Sequence, residues 1–190
     1  GSNLGKMFER VLLRRVALVT RADPLQAVGS AGLDCRHQIH LLLDILAARH
    51  AEGLDTFGAA VDITRAFPST EQQDAVLAMH GEGIGGHVLR VLVGFMVGAS
   101  VCAAVARGQH TAPIRLGVGL LEGAVFSPRA FASVTGDLLR ELRRAGHGVF
   151  IGGVWVGALM LMDDLVLLAG SLAELETMLA IVLAWCWAHR

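Results

Sequence analysis

A mixed α+β domain with a small, mostly antiparallel sheet is what the sequence predicts, and three observations predict it. Apolar residues recur with helical spacing over residues 4–19 and 34–51, where Ile39, Leu42, Leu43 and Leu46 share one face. The run GAAVDI at residues 58–63 is short and apolar, as a buried strand would be. The stretch LMLMDDLVLLA sets two apolar runs on either side of Asp163-Asp164, the pattern of a hairpin with the aspartates at its tip.

The remaining elements follow from local signals. Residues 4–19 end near Asp23-Pro24, where a helix stops. Thr70 and Gln73 have capping-box spacing, so a helix is predicted from Glu71 to about His80. The cluster GEGIGG breaks the chain before a helix at about 87–97. Residues 100–106 and 112–116 read as two strands around the turn-like RGQH. Ser127 as cap with Pro128 at the first helical position opens a helix to about Arg144, and AGHG closes it. Apolar runs at 149–151, 154–162 and 165–169 are strands, and Ser171 with Glu174 caps a last helix with a stripe of Leu172, Leu175, Met178, Leu179 and Val182.

Composition narrows the class. The 190 residues (20.1 kDa) suit one domain with a real core, and 54% hydrophobic against 17% charged residues excludes disorder. Sixteen Lys and Arg oppose 17 Asp and Glu, for a formal charge of -1, so the whole-chain balance carries no basic signature of nucleic-acid binding. Mean hydropathy of +0.56 raises a membrane reading, but the longest uncharged stretch, residues 91–106, is shorter than the roughly 20 residues that span a bilayer. Cys35, Cys102 and Cys186 are far apart and in no metal-like spacing, and read as reduced core thiols of an intracellular protein, nuclear or cytoplasmic. The N-terminus has charges where a signal peptide needs an apolar run.

The chemistry is concentrated where charge interrupts apolar strands, at Asp62 and at Asp163-Asp164. A carboxylate leaving water needs a cation, hydrogen bonds or a proton, and neighbouring carboxylates repel. A hard divalent cation removes that conflict, and carboxylates gathered from two strands suit a metal pair for in-line phosphoryl transfer. Spacing alone equally allows Asp163-Asp164 to be a plain turn and Asp62 a helix cap.

The runs VDITRAFPST, GLLEGAVFSPRAF and LMLMDDLVLLA, in that order, resemble the reverse transcriptase domain of non-LTR (LINE-like) retrotransposons. Asp62, Ala66 and Phe67 match the first motif, Gly123 to Pro128 with Phe131 the second, and Asp163, Asp164 and the strand that follows the third. LGKMFERVLLRRV and Gln38-Ile39 resemble the family's fingers region. The resemblance implies a right-hand polymerase: fingers at about 1–57, palm at about 58–190, and no counterpart of the thumb. It implies an RNA-directed DNA polymerase that joins deoxynucleoside triphosphates (dNTPs) to a DNA primer on an RNA template, with two Mg²⁺ ions, or Mn²⁺. Asp62 and Asp163 would ligate the metals with Asp164 beside them, and backbone at Ile63 and Thr64 would lie near the triphosphate. Phe67 matches the aromatic gate against a ribose 2′-hydroxyl, and Gly123 would let backbone approach the nucleotide. Among cations that would line a groove, Arg36, Arg65, Arg107, Arg115 and Arg129, Arg65 is nearest Asp62 in sequence.

The sequence also departs from that pattern. Glu122 stands where the family has Gln, and its charge would oppose phosphate. Leu121 replaces a Pro, Pro68 an Asp, and Leu161-Met162 the aromatic-Ala pair before the aspartates. A catalytically inactive palm remnant, acting as a folded or interaction domain, is therefore the alternative reading. His37 and His40 have no third metal ligand in view, and the three tryptophans read as packing residues.

Overall fold

A computed structural model describes residues 3–20, 23–28, 34–106 and 109–189. Its elements are helices and short antiparallel strands, as the hydrophobic pattern requires. Two helices come first, α1 (Asn3–Val19) and α2 (Cys35–Ala51). Then come strand β1 (Phe57–Asp62), the single turn α3 (Ala66–Ser69), α4 (Gln72–Gly81) and α5 (Gly86–Val97). An exposed hairpin follows in two pieces, β2 (Ser100–Val101) with β5 (Ile114–Arg115) and β3 (Ala104–Ala106) with β4 (Gln109–His110). The long α6 (Ser127–Ala145) leads to β6 (Phe150–Ile151), β7 (Val154–Trp155), β8 (Ala158–Leu161), β9 (Asp164–Ala169) and α7 (Leu172–Ala188).

The central sheet has the order β1-β9-β8, all antiparallel. Residues 25–27 continue it beyond β8: Met160 donates to Leu25 O at 2.8 Å, and Ala27 donates to Met160 O at 2.9 Å. Register separates the two faces. Val61, Leu165, Leu167, Met160 and Ala158 lie on one face, which α6 and α7 cover. Gly58, Ala60, Asp62, Asp164, Val166, Leu159 and Leu161 lie on the other, which is open at β1 and carries α2 over β8. The core centres on α6, where Leu138, Leu139 and Leu142 are fully buried. Burying such a leucine is worth about 1.5–3 kcal/mol.

Several predicted details are corrected. Ser127 is not the cap of α6; Phe126 holds that place, and the buried Ser127 hydroxyl donates to Leu121 O at 2.7 Å. Thr70 does not cap α4 either: its hydroxyl donates to Ala66 O at 2.6 Å, and Glu71 precedes the helix without a side-chain cap. Ser171 does cap α7, accepting from Glu174 N at 3.2 Å. A capping box that the sequence reading passed over opens α2. Asp34 accepts from the Arg36 and His37 amides while His37 Nδ1 accepts from Asp34 N, which gives His37 a structural task on an exposed surface. Cys35 and Cys102 are exposed thiols rather than core ones, and Cys186 is half-buried; none is in a disulfide. Trp155 and Trp185 pack in the core, whereas Trp187 is largely exposed. No helix among the described residues is long and apolar enough to cross a membrane.

The largest correction concerns Arg129, which is buried and pairs with Glu82 instead of lining a groove. Its guanidinium also donates to Ser133 Oγ at 2.9 Å and Thr20 Oγ1 at 3.1 Å. One cation thus ties the end of α1, the residue after α4 and the first turns of α6 together. Removing one partner leaves the other charged and buried. Glu82→Leu should therefore destabilise the fold by about 3–5 kcal/mol in urea titration, and adding Arg129→Met to it should recover most of that loss.

Asp34 gives a pH signature. Hydrogen bonds from Arg36 and His37 hold its carboxyl well below the ordinary carboxylate value of 3.8. A group whose pKa falls on folding stabilises the fold above its unfolded value, and that contribution is lost as pH falls below it. The stability difference between wild type and Asp34→Ala should be constant above about pH 5 and shrink below pH 4, which denaturant melts across that range will show.

Candidate active site

Small residues and one terminal acid make β1 a strand that ends in charge, and β9 begins with the matching charge. The register sets Asp62 directly opposite Asp164. Opposed residues of antiparallel strands project from the same face with Cβ atoms about 4.5–5.5 Å apart. Both are exposed on the open face of the sheet. Asp163 occupies the hairpin tip, half-buried, and its carbonyl accepts from Ile63 N at 3.2 Å. That bond carries the β1–β9 pairing one residue past the strand, so Asp62 and Ile63 are held against the aspartate pair. In the strand register Asp62 stands opposite Asp164, and Asp163 lies one residue before that pair at the tip.

The tip is a two-residue loop, Met162-Asp163, between the paired Leu161 and Asp164. Met162 takes a φ of 60°, and the left-handed conformation falls on the first loop position alone, as in type II′ hairpin turns. Gln26, only 1% exposed, fixes this loop from inside. Its Oε1 accepts from Met162 N at 3.2 Å and its Nε2 donates to Thr135 Oγ1 at 3.0 Å. Sequence reasoning missed Gln26. The only local signal was Asp23-Pro24, whose turn places it: Leu25 N donates to Asp23 Oδ1 at 3.0 Å and Gln26 N to Asp23 O at 2.9 Å.

After Asp62 the chain turns at once. Thr64 and Arg65 are exposed, and Arg65 adopts a φ of 56° immediately before α3. Phe67 is half-buried, its ring stacked on Phe131 with centroids 5.4 Å apart. The loop before α6 docks on this turn: Leu120 N donates to Phe67 O at 2.8 Å and Gly119 N to Thr70 O at 3.0 Å. Gly119 has φ of +92°, and a Cβ there would stand 2.9 Å from Pro68 O, so no other residue fits without movement. Gln72 completes the attachment through its Nε2 to Gly119 O at 3.0 Å. Glu122 and Gly123 follow, both exposed, with Gly123 at φ +78°. The first and second sequence motifs are therefore joined through backbone.

These residues do not all converge. A cavity of about 370 Å³ has Asp62, Ile63 and Thr64 in its lining but not Phe67, Glu122, Gly123, Asp163 or Asp164. Among the described residues no group of three or more His, Cys, Asp and Glu is gathered closely enough to hold a metal ion. What the fold assembles is a facing pair of carboxylates, with no hydrogen bond or ion pair on the side chains of Asp62, Asp163 or Asp164 among the described residues. Like charges directly opposite are unfavourable. The donor set fits a hard divalent cation, because Mg²⁺ is commonly held by one or two carboxylates, with substrate phosphates and water completing its shell. Of the other expected cations, Arg36 pairs with Asp34 at 2.9 Å, Arg115 donates to Val97 O at 3.2 Å, and Arg107 lies outside the described residues.

No protein-family model matches the sequence, and neither does any curated protein. Solved structures do. The chain is similar to an apo telomerase from Candida tropicalis, truncated from its C-terminal domain, at a TM-score of 0.62 and 10% identity over 93% of this chain. It is also similar to a telomerase from Candida albicans in complex with a TWJ fragment of telomeric RNA, at a TM-score of 0.60 and 10% identity over 94% of this chain. The chain spans 35% and 31% of the length of those two proteins, about a third. At that identity the likeness speaks for the fold, and the fold is coarsely that of a reverse transcriptase-related enzyme.

Proposed function

We propose that this chain is the fingers and palm part of an RNA-directed DNA polymerase of the LINE-like class. It would transfer a nucleotidyl group from a dNTP to a primer 3′-hydroxyl on an RNA template. The observation that carries the reading is the cross-strand pairing of Asp62 with Asp164 at a hairpin tip, on the open face of the sheet in a reverse-transcriptase-like fold. Asp62 and Asp164, with Asp163 beside them and the backbone at Ile63, would hold Mg²⁺. The ions when bound would activate the primer hydroxyl and stabilise the leaving pyrophosphate. The protein's own part is positioning: the β1–β9 register sets the two acids, and Gln26 sets the loop between β8 and β9. Thr64 and Arg65 follow directly and would face the triphosphate, with Phe67 as gate and Glu122-Gly123 at the nucleotide. The RNA in the Candida albicans telomerase complex supports nucleic acid as the partner class.

A second reading has its own observations. Two gathered carboxylates instead of three, Glu122 in place of the family's Gln, and Met162 next to the acids all favour an inactive remnant that keeps the fold. One assay separates them. With an annealed RNA template and DNA primer, dNTPs and Mg²⁺, the polymerase reading expects extension, reduced about 10²–10³-fold by Asp62→Asn or Asp164→Asn, the scale of losing one electrostatic partner of a transition state. Extension that ignores both substitutions would overturn the site. A folded chain that extends no primer with either Mg²⁺ or Mn²⁺ would establish the remnant.

A further inference from the structure

Charge is unevenly spread over this chain, although its formal total is only -1. α1 carries Lys6, Arg10, Arg14 and Arg15 against a single acid, Glu9. Glu9 is half-buried and accepts from Phe126 N at 3.0 Å, so it is tied to the fold. None of the four cations has an ion pair or a side-chain hydrogen bond among the described residues, whereas Arg36, Arg129, Arg140 and Arg143 all pair with acids. α5 meets α1 where Phe8 and Phe95 approach, with ring centroids 5.9 Å apart. From Gly83 to Leu121, a stretch that includes α5, the chain has Arg90, Arg107 and Arg115 but no Asp or Glu. Charge segregated in this way offers an anionic partner one side of the molecule.

The same helix carries apolar side chains that the core does not use. It buries Leu12 and Val16. Leu4, Met7, Val11 and Leu18 are exposed, from 51% at Val11 to 85% at Leu18. At about 100° and 1.5 Å per residue, these four fall within about 60° of arc along about 21 Å of helix. The same geometry sets Arg14 and Arg15 on either side of that line. An exposed apolar line of this kind marks an interaction surface.

The two properties together select the partner. The phosphates of a nucleic acid would satisfy the cations but leave the aliphatic side chains in water. A lipid surface satisfies both, because a basic amphipathic helix buries its apolar face at the headgroup–acyl boundary while arginine heads stay at phosphate level. We infer that the outer face of α1 docks on an anionic lipid surface, the helix lying in its plane without crossing it. Leu4, Met7, Val11 and Leu18 enter the boundary, and Arg10, Arg14 and Arg15 meet the lipid phosphates. Leu12 and Val16 keep α1 on the core, so docking needs no unfolding. The inference is independent of the polymerase reading, because no residue of α1 belongs to the proposed metal or nucleotide site.

The test is flotation of the whole chain with vesicles of equal parts phosphatidylserine and phosphatidylcholine, and with vesicles of phosphatidylcholine alone. The chain should float with the first and stay behind with the second. An arginine beside such a surface is worth about fivefold in partitioning, so Arg10→Gln, Arg14→Gln and Arg15→Gln together should weaken binding about a hundredfold. Met7→Gln, Val11→Gln and Leu18→Gln together should abolish flotation and leave the urea midpoint unchanged, since all three side chains already lie in solvent. Absence of flotation with the anionic vesicles overturns the proposal, and equal flotation with both kinds overturns its charge selectivity. An apolar variant that floats as the unaltered chain does overturns the insertion of α1. Binding of an RNA duplex that needs the three arginines, without flotation, assigns the face to nucleic acid instead.

Discussion

Two strands far apart in sequence, β1 and β9, meet in antiparallel register over six residue pairs, and their last pair is Asp62 with Asp164. The candidate site depends on that pairing being kept in phase. A slip of one residue would turn Asp62 to the face covered by α6 and α7 and bring Val61 or Ile63 into its place. The register is defended from both sides: Leu165 and Leu167 must enter the core, while the Ile63 to Asp163 backbone bond locks the end. The same apolar packing that stabilises the sheet therefore sets where its charges emerge.

Around that sheet, buried polar groups act as joints between elements. Gln26 joins the segment before α2 to the β8–β9 hairpin and to α6, while Arg129 joins α1, the α4–α5 turn and α6. Each is satisfied by specific partners, and a half-satisfied version would cost more than an apolar substitute. Gly119 is the backbone counterpart, a position where the absence of a side chain lets one loop lie against the turn after β1.

The pattern of what could be read from sequence follows this division. Two short apolar runs around the adjacent aspartates in LMLMDDLVLLA made the β8–β9 hairpin legible, because an apolar run and a polar tip are local properties. The helices at 86–97 and 127–145 were equally legible, with Gly146 at φ 74° ending the second. Ser127 and Thr70 misled because a hydroxyl can satisfy either an amide at a helix start or a carbonyl nearby, and here each took the carbonyl. Arg129 misled because charge in a sequence says nothing of a partner 47 residues away. Which aspartate stands opposite Asp62 turns on a hairpin loop of two residues, a count that the apolar run itself leaves open.

β1 also stands at the margin of its sheet, with no neighbouring strand on its outer side among the described residues. Its outward row of amides and carbonyls offers a template on which a foreign extended segment can add. Brevity works against such growth, and so does the negative charge where β1 ends, which would confront the same charge on an incoming copy. The aspartate proposed to hold metal thus also guards the sheet edge, and replacing it with asparagine would make that edge more prone to self-association.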